Sequence, residues 1–152
     1  MKTIKLTLLA TLTFLFFSSF AIAQDVKTDG ENFLKGKTLE KGVITLPSGL
    51  MYKVITEGTG KTPTIAQKTK MHYHGTSIDG KVFDSSIDRG TPLSFAPNQV
   101  IKGWTEAMQL MKEGSVWEVY LPYQLAYGAR GAGGSIKPYQ ALVFRMEMIK
   151  VL

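Results

Sequence analysis

The sequence predicts an α+β domain, a curved antiparallel sheet wrapped around one short amphipathic helix. Three observations carry that expectation. Apolar residues alternate with polar ones at period two in segments spread from Leu50 to the C-terminus. Within that region only one segment has helical spacing. No repeat of about 20 to 50 residues runs through the chain, which sets aside solenoids and propellers.

Taken in order, Met1–Ala23 is expected to lie outside the domain. Lys2 and Lys5 precede a charge-free apolar stretch from Leu6 to Ile22, and Ala21 and Ala23 supply small residues at −3 and −1 of a cleavage point. That is the layout of a secretory signal peptide. A retained membrane anchor is the rival reading, although the stretch is short for a span and diluted by Thr7, Thr11, Thr13, Ser18 and Ser19. Residues 24–49 read as a polar lead-in, with one short helix-capable piece at Glu31–Lys35 interrupted by Gly36 and Gly42.

The domain proper is expected over residues 50–152. Leu50–Ile55 is the first strand, closed by Gly58 and Gly60. Lys70–Thr76 is the second, ended by the Asp79-Gly80 turn signal, and Lys81–Asp84 leads out of that turn. The helix is expected over Ile101–Met111, where Ile101, Trp104, Met108 and Met111 share a face and Gly114 stops it. Trp117, Val119 and Leu121 alternate with Glu118 and Tyr120 up to Pro122; Leu142, Phe144, Met146 and Met148 alternate with their neighbours in the last strand.

Composition narrows the chemistry. The 152 residues carry 18 Lys+Arg against 12 Asp+Glu, a formal +6, and 44% are hydrophobic with 20% charged. That supports one folded domain with a real core. The basic residues are scattered, and no nucleic-acid motif accompanies them, so nucleic acid is not an expected partner. Absence of cysteine removes disulfides, thiolate metal sites and a cysteine nucleophile. His72 and His74 stand two apart on one strand face without an evident third ligand, so no metal is expected. Gly128–Gly134 matches neither phosphate-cradling pattern and reads as a surface loop. Ser85-Ser86 lacks an obvious base partner. What remains is an excess of aromatics among turn signals.

The runs Tyr73-His74-Gly75, Asp79–Ser86 and Asp88-Arg89-Gly90, then Gln99–Trp104, then Leu125–Gly128 followed by Leu142-Val143-Phe144, together resemble the FKBP-type peptidyl-prolyl cis–trans isomerases. They stand in the family's order and spacing over roughly residues 50 to 151. Thr45–Leu50 and Trp104–Met111 look most like the exported macrophage-infectivity-potentiator subgroup.

The resemblance implies an apolar pocket between sheet and helix that accelerates X–Pro isomerisation in the folding of exported, periplasmic or secreted proteins. The alternative is a non-catalytic peptide-binding or chaperone module on the same fold. Trp104 would floor the pocket, its indole partly accessible. Tyr73, Phe83 and Phe144 would wall it, and Phe95, Val100, Ile101 and Ile136 would complete the lining. The Tyr127 hydroxyl and the Ile101 N–H would bond substrate carbonyls, while Asp84 would face the twisting imide, oriented by Tyr73 or Arg89. No cofactor is implied. Proline-containing polypeptides are the expected partners, with macrolide inhibitors of the FK506 and rapamycin type as further ligands. The chain departs from the pattern at Leu93, Lys137 and Tyr139-Gln140-Ala141, which bears on substrate preference. Gln24–Gly42 is too short for the subgroup's dimerisation helix, so a monomer is expected.

Overall fold

The computed structural model of the protein describes residues 23–152; the expected signal segment lies outside the described residues except for Ala23. One sheet of seven strands dominates: β1 (Val43–Thr45), β2 (Met51–Thr56), β3 (Thr69–Ser77), β4 (Val82–Ser85), β5 (Leu93–Phe95), β6 (Val116–Leu121) and β7 (Leu142–Val151). Their order is β1-β2-β6-β7-β3-β4, antiparallel throughout. β3 is the pivot. It pairs with β7 along its whole length, and its other edge is shared, His74–Thr76 going to β4 and Thr69–Met71 to β5. The short strands β1 and β5 escaped the sequence pattern because three residues hold too little alternation to register.

Helix α2 (Lys102–Met108) lies against the sheet's inner face. It is shorter than expected: the N–H groups of Leu110 and Met111 both turn onto the Ala107 carbonyl at 3.0 Å. Met111 nevertheless stays fully buried beside Met108, so the apolar spacing held while the regular helix ended a turn early. Gly103 is required where α2 crosses β6, since a Cβ there would collide with the Leu121 methyls.

The lead-in differs more. Residues 23–37 are helical, here called α1, where the sequence offered only a five-residue piece. Val26, Gly30, Phe33 and Leu34 form its less exposed stripe. A glycine in the middle costs helix propensity of about 1 kcal/mol and thins the apolar signal. Docking explains its presence: a Cβ on Gly30 would stand 3.0 Å from the Ala141 Cβ. Phe33 meets Tyr120 edge-on at 6.2 Å, and the Lys37 ammonium sits 4.7 Å from the Tyr120 ring centre. Tyr120, placed on the outer face by alternation, is therefore buried at 1% exposure. Its face is outer to the sheet but inner to α1.

Candidate active site

Trp104 enters on the first turn of α2, and the sheet brings three rings to it. Tyr73 from β3 stands edge-on at 5.1 Å, Phe144 from β7 edge-on at 5.1 Å, and Phe95 at the end of β5 tilted at 5.4 Å. Phe83 of β4 extends the wall by packing edge-to-face on Phe144 at 5.5 Å. Such geometries satisfy the ring quadrupoles and hold each plane. Gly75 lets the wall close, because a Cβ there would lie 2.7 Å from both the Phe144 and Phe83 rings. Val100 and Ile101, just before α2, and Ile136 finish the enclosure of a cavity of about 780 Å³.

All the residues singled out from sequence line this cavity except Arg89, which reaches it through Asp84 and Tyr73. Trp104 lines the cavity but is only 5% exposed, less open than the partly accessible indole expected. Its Nε1 has no partner among the described residues. Trp117 is equally buried, stacked on Tyr52 at 4.1 Å, but lies away from the cavity. Gln99, Ala132, Gly133 and Ser135 also line the site and were missed. The last three belong to or adjoin the glycine-rich stretch that read as a plain surface loop. Ala132 and Ile136 instead close a tight hairpin there, with reciprocal N–H to carbonyl bonds of 2.9 and 3.1 Å.

One polar network sits on the apolar rim. The Tyr73 hydroxyl donates to Asp84 Oδ2 at 2.5 Å, Arg89 Nη1 donates to Asp84 Oδ1, and Arg89 Nη2 donates to the Tyr73 oxygen at 3.0 Å. Partial burial alone would raise the Asp84 pKa, but the bonds from Tyr73 and Arg89 outweigh it and hold the carboxyl below its ordinary range. Burial, reinforced by Asp84, pushes the Tyr73 phenol up, so it stays a neutral donor. Tyr127 is also raised, by burial and by the nearby Asp84 charge; at 39% exposure its ring borders the cavity mouth. The Ile101 carbonyl accepts the Thr105 N–H at 3.0 Å as α2 begins.

The two histidines have other work. His72 Nδ1 bonds Ser86 Oγ at 3.0 Å and His74 Nδ1 bonds Ser85 Oγ at 2.9 Å. Asp88 approaches the same His74 nitrogen at 3.7 Å. A relay needs the two imidazole nitrogens to serve different partners, and Ser85 and Ser86 are buried at 4% and 0% exposure. The bond tying Ser86 Oγ to the Tyr73 N–H at 2.8 Å makes this a brace for the segment carrying Asp84 and Arg89.

The fold and site together are an antiparallel sheet half-wrapped on a short helix, with an apolar aromatic cavity and a clamped carboxylate at its rim. Residues 59–149 match the family described as FKBP-type peptidyl-prolyl cis-trans isomerase, and residues 18–54 match the domain amino terminal to it. The macrophage infectivity potentiator of Trypanosoma cruzi is 49% identical over 126 residues, 82% of this chain and 64% of that protein. The outer membrane protein MIP of Legionella longbeachae is 47% identical over 129 residues, 85% of this chain and 55% of that protein. Among solved structures, FkpA from Escherichia coli superposes with a TM-score of 0.87 at 38% identity, covering 97% of this chain and 71% of that one. A peptidyl-prolyl cis-trans isomerase from Pseudomonas syringae pv. tomato gives 0.79 at 37% identity, covering 84% and 94%. The chain belongs to the FKBP-type peptidyl-prolyl cis-trans isomerase family. It spans less than two thirds of the length of either curated relative named here.

Proposed function

We propose that the protein is a peptidyl-prolyl cis–trans isomerase acting on exported polypeptides, working as a monomer and without a cofactor. The observation that carries this is the aromatic cavity lined by Trp104, Tyr73, Phe83, Phe95 and Phe144 and flanked by one clamped carboxylate. Rotation about X–Pro faces a barrier of about 18–20 kcal/mol because amide resonance must be broken, and uncatalysed exchange takes tens of seconds or longer.

The site lowers that barrier with no bond made to the protein. Apolar walls strip water from the imide, which disfavours its charge-separated resonance form and so its planarity. The Tyr127 hydroxyl and the Ile101 N–H fix the flanking carbonyls. Asp84, held rigid by Tyr73 and Arg89, presents its field to the carbonyl as it leaves the plane, an interaction stronger in the twisted geometry than in either planar one. A thousandfold acceleration requires only about 4 kcal/mol. Macrolides of the FK506 and rapamycin type would compete for the same cage.

Export rests on the signal-like segment 1–23, with cleavage after Ala23. Support for a monomer comes from α1, whose Gly30 and Phe33 face is spent on its own domain. The reading is tested by a protease-coupled assay of the purified protein on proline tetrapeptides. Acceleration abolished by FK506 is expected; binding of the peptides without acceleration would return the site to a non-catalytic module.

A further inference from the structure

Thr105 follows Trp104 on α2 but is not among the residues lining the aromatic cavity. A threonine inside a helix ordinarily returns its hydroxyl to the carbonyl four residues back, and Thr105 Oγ1 does lie 3.2 Å from the Ile101 oxygen. Its shorter contact leaves the helix altogether: the Pro97 carbonyl, eight residues back, stands at 2.6 Å. A hydroxyl carries one proton, and these distances give it to Pro97.

Pro97 opens the short 3₁₀ turn Pro97–Gln99 and is fully buried. Its carbonyl accepts from no backbone N–H among the described residues. A buried carbonyl needs a donor, and Thr105 supplies it. The bond closes a loop of chain from Pro97 to Thr105, and the peptide joining Val100 to Ile101 lies within that loop. Thr105 Oγ1 is also 3.5 Å from the Val100 oxygen, near it but too far to share the proton well. That oxygen and the Ile101 N–H sit on opposite sides of one rigid trans plane, so holding the carbonyl toward Thr105 turns the N–H away from it. The Ile101 N–H has no acceptor among the described residues, and Val100 and Ile101 both line the cavity.

We propose that Thr105 is a positioning residue of the isomerase site: by holding Pro97 against α2, its hydroxyl fixes the Val100–Ile101 peptide and aims the Ile101 N–H at a substrate carbonyl. The inference rests on the isomerase reading and on Ile101 as a substrate donor; Thr105 itself touches no substrate. Other bonds hold the turn to the body of the domain or to itself. The Asn98 N–H donates to the Ile65 carbonyl at 3.0 Å, and Gln99 Oε1 accepts the Ala96 N–H at 2.9 Å. Among the described residues no other hydrogen bond joins the turn to α2 across the Val100–Ile101 peptide. Without the hydroxyl the turn keeps its anchors, while the direction of the donor is no longer set. A donor already fixed in place loses little freedom when the substrate arrives.

The test is Thr105→Val, which keeps the branched shape and removes the hydroxyl, beside Thr105→Ser, which keeps the hydroxyl. On proline tetrapeptides Thr105→Val should raise KM about fivefold, the scale of one neutral hydrogen bond. Its kcat should stay within about twofold of wild type, as expected when a contact made equally in ground and transition states is weakened. Thr105→Ser should restore the wild-type KM. In nuclear magnetic resonance spectra the Ile101 amide proton should move downfield on peptide binding in the wild type and in Thr105→Ser, and much less in Thr105→Val. A merely structural role gives the opposite split: loss of folded protein lowers apparent kcat in proportion and leaves KM where it was. That result, or a Thr105→Ser variant whose KM rises as far as that of Thr105→Val, overturns the proposal with the isomerase reading intact. Thr105→Ala against Thr105→Ser makes the same comparison on a smaller side chain, so an unfolded Thr105→Val does not remove the test. Wild-type turnover without the Ile101 shift overturns the donor and this inference with it. Absence of wild-type turnover overturns the isomerase reading as well.

Discussion

At Asp84, burial and hydrogen bonding pull in opposite directions, and hydrogen bonding wins. The folded-state pKa is depressed, so the clamp by Tyr73 and Arg89 is complete above the ordinary carboxyl value of about 3.9 and is lost as pH falls through the lowered one. Turnover on proline tetrapeptides should therefore be flat from neutral pH to about pH 4.5 and decline only below the usual carboxyl range. An inflection between about pH 5 and 7 in the kcat/KM profile would show that some other group governs the site. Asp84→Ala should lower kcat about tenfold, the scale of 1.4 kcal/mol, while KM moves less than about twofold, because its contact is made in the twisted imide. If KM alone rises, Asp84 only helps to bind. The motif residues of this site were readable because each sits at a spacing the family shares. Ser135 and Gly133 were not, since small residues in a glycine-rich loop give no sign of which cavity they border.

Among the elements, α1 shows where the sequence pattern ran short. A helix that buries one narrow stripe needs few apolar residues, and here glycine occupies its closest approach to Ala141. Periodicity weakens where docking is tightest. The same docking concealed the burial of Tyr120, since strict alternation assumes an open outer face. Phe33→Ala should thus cost about 1–3 kcal/mol of stability and leave tetrapeptide turnover nearly unchanged, by thermal melts and the protease-coupled assay. At the opposite end of the scale is Gly75 in β3. Gly75→Ala drives a methyl against the Phe83 and Phe144 rings and should cost about 1–3 kcal/mol by overpacking. Because those rings wall the cage, turnover should fall with it; unaltered turnover would show that the wall is not part of the working site.

For the whole molecule, the antiparallel sheet, its long strands and the single inner helix were legible because half-buried strands write a two-residue period into the sequence. That period says nothing of the order in which strands pair, nor that β4 and β5 divide one edge of β3 between them. This division brings Asp84 from β4 and Phe95 from β5 to the same cavity as Trp104. The export reading makes its own prediction: mass spectrometry of the mature protein should find Gln24 at the N-terminus, and residues 1–23 retained in a membrane fraction would contradict it. Most direct for the central claim is Trp104→Leu, measured in parallel by thermal melt and by isomerase turnover. If Trp104 floors a prolyl pocket, leucine fills most of its volume, so the variant should stay folded while kcat/KM and affinity for proline peptides fall steeply. A variant that melts far lower, yet binds and turns over proline peptides normally while folded, would make Trp104 a core anchor and contradict the account.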